Sequence, residues 1–231
     1  MNQKTMTIGT VAVLAALGLV APAAAAEPAT RPAAAPAATA PILTNAPTAI
    51  RIGSSYQEIP VVVRTRSGTT SSLTLTDPRS GQVDFDYDSV TTIRHVFRAT
   101  IYSFQVRSYG TWRWDVEAQD ADYNTYATSV NAVVKANSLL GLGVRRSGSR
   151  VTVTVATRQW NNAVERYQGW PGRGVYIQKQ NANGTWRNVG GVTTDGGGNG
   201  VKVLSTGAGV YRAYDKDAAT VFGSTTLGIR G

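Results

Sequence analysis

Cysteine is absent from this chain of 231 residues. Its absence excludes disulfide staples, thiolate metal sites and thiol nucleophiles, as well as lipid attachment at an export signal. Any core must therefore hold by apolar burial and strand pairing. Histidine occurs once, as His95, so neither a multi-His zinc site nor a Cys/His pair can be assembled. Lys and Glu are scarce while Gly, Thr, Val and Ser are abundant, a profile that favours strands and turns over helices. No G-x-S-x-G elbow occurs, and the Gly-rich run Asp195–Gly200 lacks the following Lys-Ser/Thr pair of a phosphate loop.

What is present begins with an export pattern. Lys4 precedes an apolar run from Thr7 to Val20 and a small-residue stretch ending Ala23–Ala26. These are the three regions of a secretory signal peptide over residues 1–26, with the mature chain starting near Glu27. The apolar run is too short for a transmembrane span, and no later segment is an anchor. Residues 27–47 are rich in Pro and Ala and read as a disordered linker.

Charge divides the remainder. Residues 42–137 carry nine Lys and Arg against nine Asp and Glu, whereas residues 138–231 carry twelve against four. The asymmetry predicts two domains with different surfaces, 48–137 and 138–231. Outside a cell, a basic surface favours anionic polymers. The Arg residues are scattered rather than clustered with aromatics, and with export this excludes nucleic acid as the partner.

Alternation supplies the fold class. Val61–Arg66, Ser67-Gly68 and the Ser71-Leu73-Leu75 alternation read as a hairpin. Val83, Phe85 and Tyr87 alternate with Asp84, Asp86 and Asp88, which predicts an apolar face inward and an acidic face outward. Trp112, Trp114 and Val116 alternate with Arg113, Asp115 and Glu117, and a strand follows at about Tyr126–Lys135. In the second half Val151, Val153 and Val155 form another strand, Val175–Gln178 runs into the Asn183-Gly184 hairpin turn, and Val210–Tyr214 and Thr225–Ile229 finish the pattern. Many short alternating strands without an amphipathic helix predict an all-β chain of two tandem antiparallel sandwiches, immunoglobulin-like or fibronectin-III-like.

Several motifs of residues 139–231 carry a resemblance: Val151–Thr157 (VTVTVAT), Tyr167–Arg173 (YQGWPGR), Val175–Gln178, Gly184–Arg187 and Gly209–Arg212. This half resembles secreted immunoglobulin-like β-sandwich domains of actinobacteria, some loosely labelled calcium-binding. The first half resembles the same class more loosely, through the alternation after Val61 and the Gly110–Trp114 strand. The resemblance implies an extracellular, non-enzymatic module and carries over no catalytic or ligand residues.

Three groups of residues are candidates for function. Asp84, Asp86 and Asp88, with Asp120 and Asp122, have the spacing of oxygen ligands for calcium, although the EF-hand positions are not matched; the competing reading is a solvated acidic face. Trp160, Tyr167, Trp170 and Trp186 could stack on sugars or fill space between sheets. His95 lies on the apolar parity of a strand and reads as a half-buried packing residue. The expectation is a secreted, non-enzymatic binding or structural module, free or non-covalently wall-associated. Its partner is an anionic wall polymer, a polysaccharide or another extracellular protein. The alternative is a carbohydrate-binding protein using the aromatics of the second half.

Overall fold

In the computed structural model residues 40–231 are described. The signal peptide and residues 27–39 of the Pro/Ala segment lie outside them. The described residues contain strands β1 (Ile42–Leu43), β2 (Ala49–Ile52), β3 (Tyr56–Asp77), β4 (Gly81–Tyr102), β5 (Gly110–Gln119), β6 (Thr125–Ala136) and β7 (Ser138–Ser147). These are followed by β8 (Arg150–Asn161), β9 (Arg166–Gly169), β10 (Gly174–Gln180), β11 (Trp186–Thr193), β12 (Asn199–Leu204), β13 (Val210–Tyr214) and β14 (Ile229–Arg230). One 3-10 turn, Ser103–Gln105, follows β4, and no α-helix occurs among the described residues. The chain is all-β, as its composition predicts.

The first sheet has the order β1-β3-β5-β6-β2, with β4 on β3. β3 and β4 are each 22 residues long. A straight strand of that length would run roughly 70 Å at about 3.3 Å per residue. The hairpin instead breaks register between Arg64 and Ser71, where only Thr69↔Thr92 is paired. Such breaks let a strand turn a corner and serve two layers. The inward side chains of both arms meet in one core: Val61, Val63, Phe97 and Ile101 from one, Leu73 and Leu75 from the other, with Trp112, Trp114 and Val116 of β5.

Two expectations change at this corner. Ser67-Gly68 is not a hairpin turn; β3 passes through it, and Gly68 takes φ +79 at the bend. The true β3–β4 turn is Pro78–Ser80, where Asp77 accepts hydrogen bonds from the Arg79 N–H and the Ser80 hydroxyl, each at 2.9 Å. The sheet is also not purely antiparallel, since β2 pairs with β6 in parallel, Ile50 opposite Val134.

The last residues of the Pro/Ala segment join this sheet. Ile42 and Leu43 pair with Arg64 and Val63, and the Pro47 carbonyl accepts the Trp114 indole N–H at 3.1 Å.

The second half builds two four-stranded sheets, β11-β10-β13-β14 and β12-β8-β7 with β9 on β8. Val151, Val153 and Val155 of one sheet share a core with Val175, Ile177, Tyr211 and Ala213 of the other. The Asn183-Gly184 hairpin joins β10 to β11, with Gly184 at φ +81. Thr225–Ile229 forms only a bridge at Thr225 and the start of β14. From the second half of the chain, Trp160 and Val221 are buried in the first core, and Ala136 bridges to Val221.

Candidate functional site

The acidic ladder points inward. β4 carries one residue more than β3 between the pairs Leu75↔Asp84 and Thr76↔Gln82, a bulge at Val83. A one-residue bulge reverses side-chain parity beyond it. Val83 is therefore buried, whereas Phe85 and Tyr87 are 51% and 55% exposed, reversing the predicted faces. Asp84 and Asp86 instead lie opposite the buried Leu75 and Leu73. Asp84 accepts the Thr100 N–H at 2.6 Å and Asp86 the Arg98 N–H at 3.5 Å. The carboxylates of one arm of β4 thus cap the free backbone edge of the other arm.

Asp88 completes the ladder. It accepts the Val90 N–H at 2.9 Å and lies 2.9 Å from His95 Nδ1. Those two bonds hold its carboxyl below the usual range. His95 is fully buried rather than half-buried and stacks on Phe97. Its Nε2 is 3.1 Å from the Thr65 hydroxyl, which donates to the Thr92 carbonyl at 3.0 Å. The order carboxylate, imidazole, hydroxyl resembles a catalytic triad, but a hydroxyl committed to a backbone carbonyl is no nucleophile. The three residues tie the two breaks in the hairpin together.

Asp120 closes the β5–β6 turn. It accepts the N–H groups of Asp122 and Asn124 at 3.0 and 2.9 Å and the Tyr126 hydroxyl. The Tyr126 and Asn124 side chains draw its pKa down to about 2, and the carboxylate pushes the Tyr126 phenol up. Asp122 is exposed. β3 separates Asp88 from Asp120, a gap of two strand spacings, roughly 10 Å. Among the described residues no three His, Cys, Asp or Glu side chains are placed to hold a metal.

The four aromatics of the second half are partnered within the protein. Trp160 is 8% exposed, edge-on to Tyr167 at 5.3 Å. Tyr167 accepts from Asn137 at 2.9 Å, and Tyr167 and Trp170 pack against the first core. Arg173 covers Trp170 at 4.2 Å while pairing with the buried Asp215 at 3.2 Å. Trp186 lies apart on β11, under Arg212 at 4.4 Å.

Exposed rings gather elsewhere. On the outer face of the first arm of the β3–β4 hairpin, Tyr56 lies opposite Tyr102, and Phe104 follows in the 3-10 turn. They are 53%, 43% and 61% exposed. Their centroids are 6.1 and 5.4 Å apart, with successive planes tilted by 32° and 31°. Along the same face follow the exposed pair Arg98–Glu58 at 3.6 Å and then Arg64 directly opposite Arg94. Both of these last arginines are exposed, and neither forms an ion pair among the described residues. Sequence reading passed over these residues. Tyr56 and Tyr102 do stand on the outward parity of Val61-Val63 and Ala99-Ile101, but only the register makes them neighbours.

On the outer face of the other layer runs a shallow groove of about 400 Å³, lined by Thr74, Ser129 and the Arg113–Asp115 pair.

No family model and no curated protein matches this chain. Among solved structures it is similar to a tetra-tandem repeat from the extending region of a large adhesion protein. That match has 14% identity and a TM-score of 0.30, covering 79% of this chain and 47% of the other. It is also similar to red sea bream transglutaminase, at 14% identity and a TM-score of 0.41, covering 82% of this chain and 31% of the enzyme. The chain thus spans less than half the length of either structure, and no function passes to it from them. Among the described residues no helix is long and apolar enough to cross a membrane.

Proposed function

We propose that the chain is an exported, non-enzymatic binding module of paired immunoglobulin-like layers that works outside the cell, associated non-covalently with wall or matrix polysaccharide. Three observations support export and the lack of catalysis. The first is the signal-peptide pattern of residues 1–26. The second is that the buried titratable groups Asp77, His95 and Asp215 are bonded within the protein. The third is that the half-buried carboxylate Asp120 closes a turn. One observation carries the binding role: three exposed, successive rings, Tyr56, Tyr102 and Phe104, have no cation over them among the described residues. Leaving large aromatic surface in water forgoes about 25 cal/mol for each Å² it could bury, so a partner is the economical explanation.

The test is co-sedimentation of the full chain with insoluble peptidoglycan, chitin and cellulose, with export followed by N-terminal sequencing of protein recovered from the medium. Retention on at least one polymer and a mature start near Glu27 are expected. A chain that stays in the supernatant with all three polymers removes the wall-associated role, and an intact Met1 in the medium removes the signal peptide.

A further inference from the structure

We propose that the outer face of the β3–β4 hairpin, from Tyr56, Tyr102 and Phe104 to Arg64 and Arg94, binds an acidic polysaccharide. The inference rests on the reading of the chain as a binding module and names the ligand class. Its first support is the shape of the aromatic end. The three rings follow one another with centroids 6.1 and 5.4 Å apart and planes inclined by 32° and 31°, so they do not form one flat patch. A pyranose ring presents a C–H face that lies on an aromatic face, while its equatorial hydroxyls reach sideways for polar partners. An amphipathic ligand of that kind suits exposed Tyr rings, whose hydroxyls stay wet while their faces are covered.

The second support is charge. Arg64 and Arg94 are register partners on one face, and like charges placed directly opposite destabilise a sheet. No acidic side chain of the described residues pairs with either. Two adjacent, unneutralised guanidiniums are a ready acceptor for a carboxylate, which they can hold by paired N–H donors. Between the two ends stand Thr100 and the exposed Arg98–Glu58 pair, then Pro60 and the register partners Val62 and Val96. Charges in the middle of the face speak against a protein partner, because the centres of protein interfaces are depleted of charge. Eight residues separate Tyr56 from Arg64 and Tyr102 from Arg94, roughly 26 Å at about 3.3 Å per residue. The ligand is therefore a chain of several sugars carrying carboxylates.

The experiment is calorimetric titration of the full chain with oligogalacturonate and with its methyl ester, which keeps the sugar rings and removes the charge. The acid form is expected to bind at least about tenfold more tightly than the ester, a preference that fades as salt screens it. Arg64→Ala/Arg94→Ala brings the acid form down to the level of the ester. Tyr56→Ala/Tyr102→Ala weakens both ligands about tenfold. Arg145→Ala/Arg146→Ala removes the same charge from the second half and leaves binding unchanged. The melting midpoint of the Arg64/Arg94 variant holds or rises, because a repulsion is relieved, so its lost affinity is not lost fold. Equal binding of acid and ester, or an equal loss in the Arg145/Arg146 variant, overturns the site. If the chain still sediments with an insoluble polysaccharide in that case, the binding module stands and only this site falls. If it binds neither oligosaccharide nor insoluble polymer, both fall.

Discussion

Trp114 shows how much one residue type carries in a protein without disulfides. It is fully buried, its indole N–H reaches the Pro47 carbonyl, and Trp112 and Val116 on the same face of β5 are equally enclosed. Trp114→Ala is expected to cost about 3–5 kcal/mol, read as a drop in the urea midpoint at unchanged slope. His95 is the polar counterpart. His95→Ala opens a cavity and orphans the bonds of Asp88 and Thr65, and a loss of about 2–4 kcal/mol is expected in the same measurement. Alternation made Trp114 readable as core. It also placed His95 on the apolar side, but the partners that permit full burial lie 7 and 30 residues away in the chain. Tyr126 gives a local test of its turn. Its phenol titrates above the ordinary range because it donates a hydrogen bond to the Asp120 carboxylate, and Asp120→Asn should return it toward 10, followed by the ring-carbon NMR shift.

At the level of elements, the bulge in β4 decides what the acidic ladder does. Periodicity sees Val83, Phe85 and Tyr87 as one stripe, because nothing in the residue types announces a bulge. The extra residue turns Asp84 and Asp86 inward, where they satisfy backbone donors of an open edge. An unprotected edge invites pairing with another chain, and inward charges are a known defence. Asp84→Ala is therefore expected to lose about 1–3 kcal/mol and to gain concentration-dependent association, seen as a rising mass in light scattering. An unchanged mass at high concentration would show that the edge is guarded by something else. Gly68 misled in a similar way. Ser-Gly after a strand reads as a hairpin turn, yet the same positive φ also serves a corner, and only the continuing partner strand distinguishes them.

For the whole molecule, the carboxylates set the response to acid. Burial pushes Asp77 up, but hydrogen bonds from Ser108, the Arg79 N–H and Ser80 outweigh it and hold it low. Asp88 is lowered by Val90 and His95, Asp217 by the Gly223 N–H and Lys135, and Asp120 to about 2. A carboxyl depressed in the folded state contributes stability that is complete above its unfolded value, 3.8, and is lost as pH falls through the folded one. Stability should hold from neutral pH down to about 5 and then fall steeply toward pH 2. Urea midpoints across that range check it, and a protein equally stable at pH 2 and pH 6 would contradict the structural role of these bonds.

The sequence alone determined that the chain is all-β, because strand propensity and period-two alternation are local properties that β5, β8 and the Asn183-Gly184 hairpin display without their neighbours. It likewise determined that no disulfide could brace the cores, and it set the charge asymmetry between the halves. Tertiary structure decided which faces look outward and which residues meet. Side-chain parity depends on a single bulge, and cross-strand neighbours depend on register between positions as distant as Tyr56 and Tyr102. The aromatics that drew attention in the second half are covered by guanidiniums or by each other. Those of the first half stay open because the hairpin brings them side by side on its wet face.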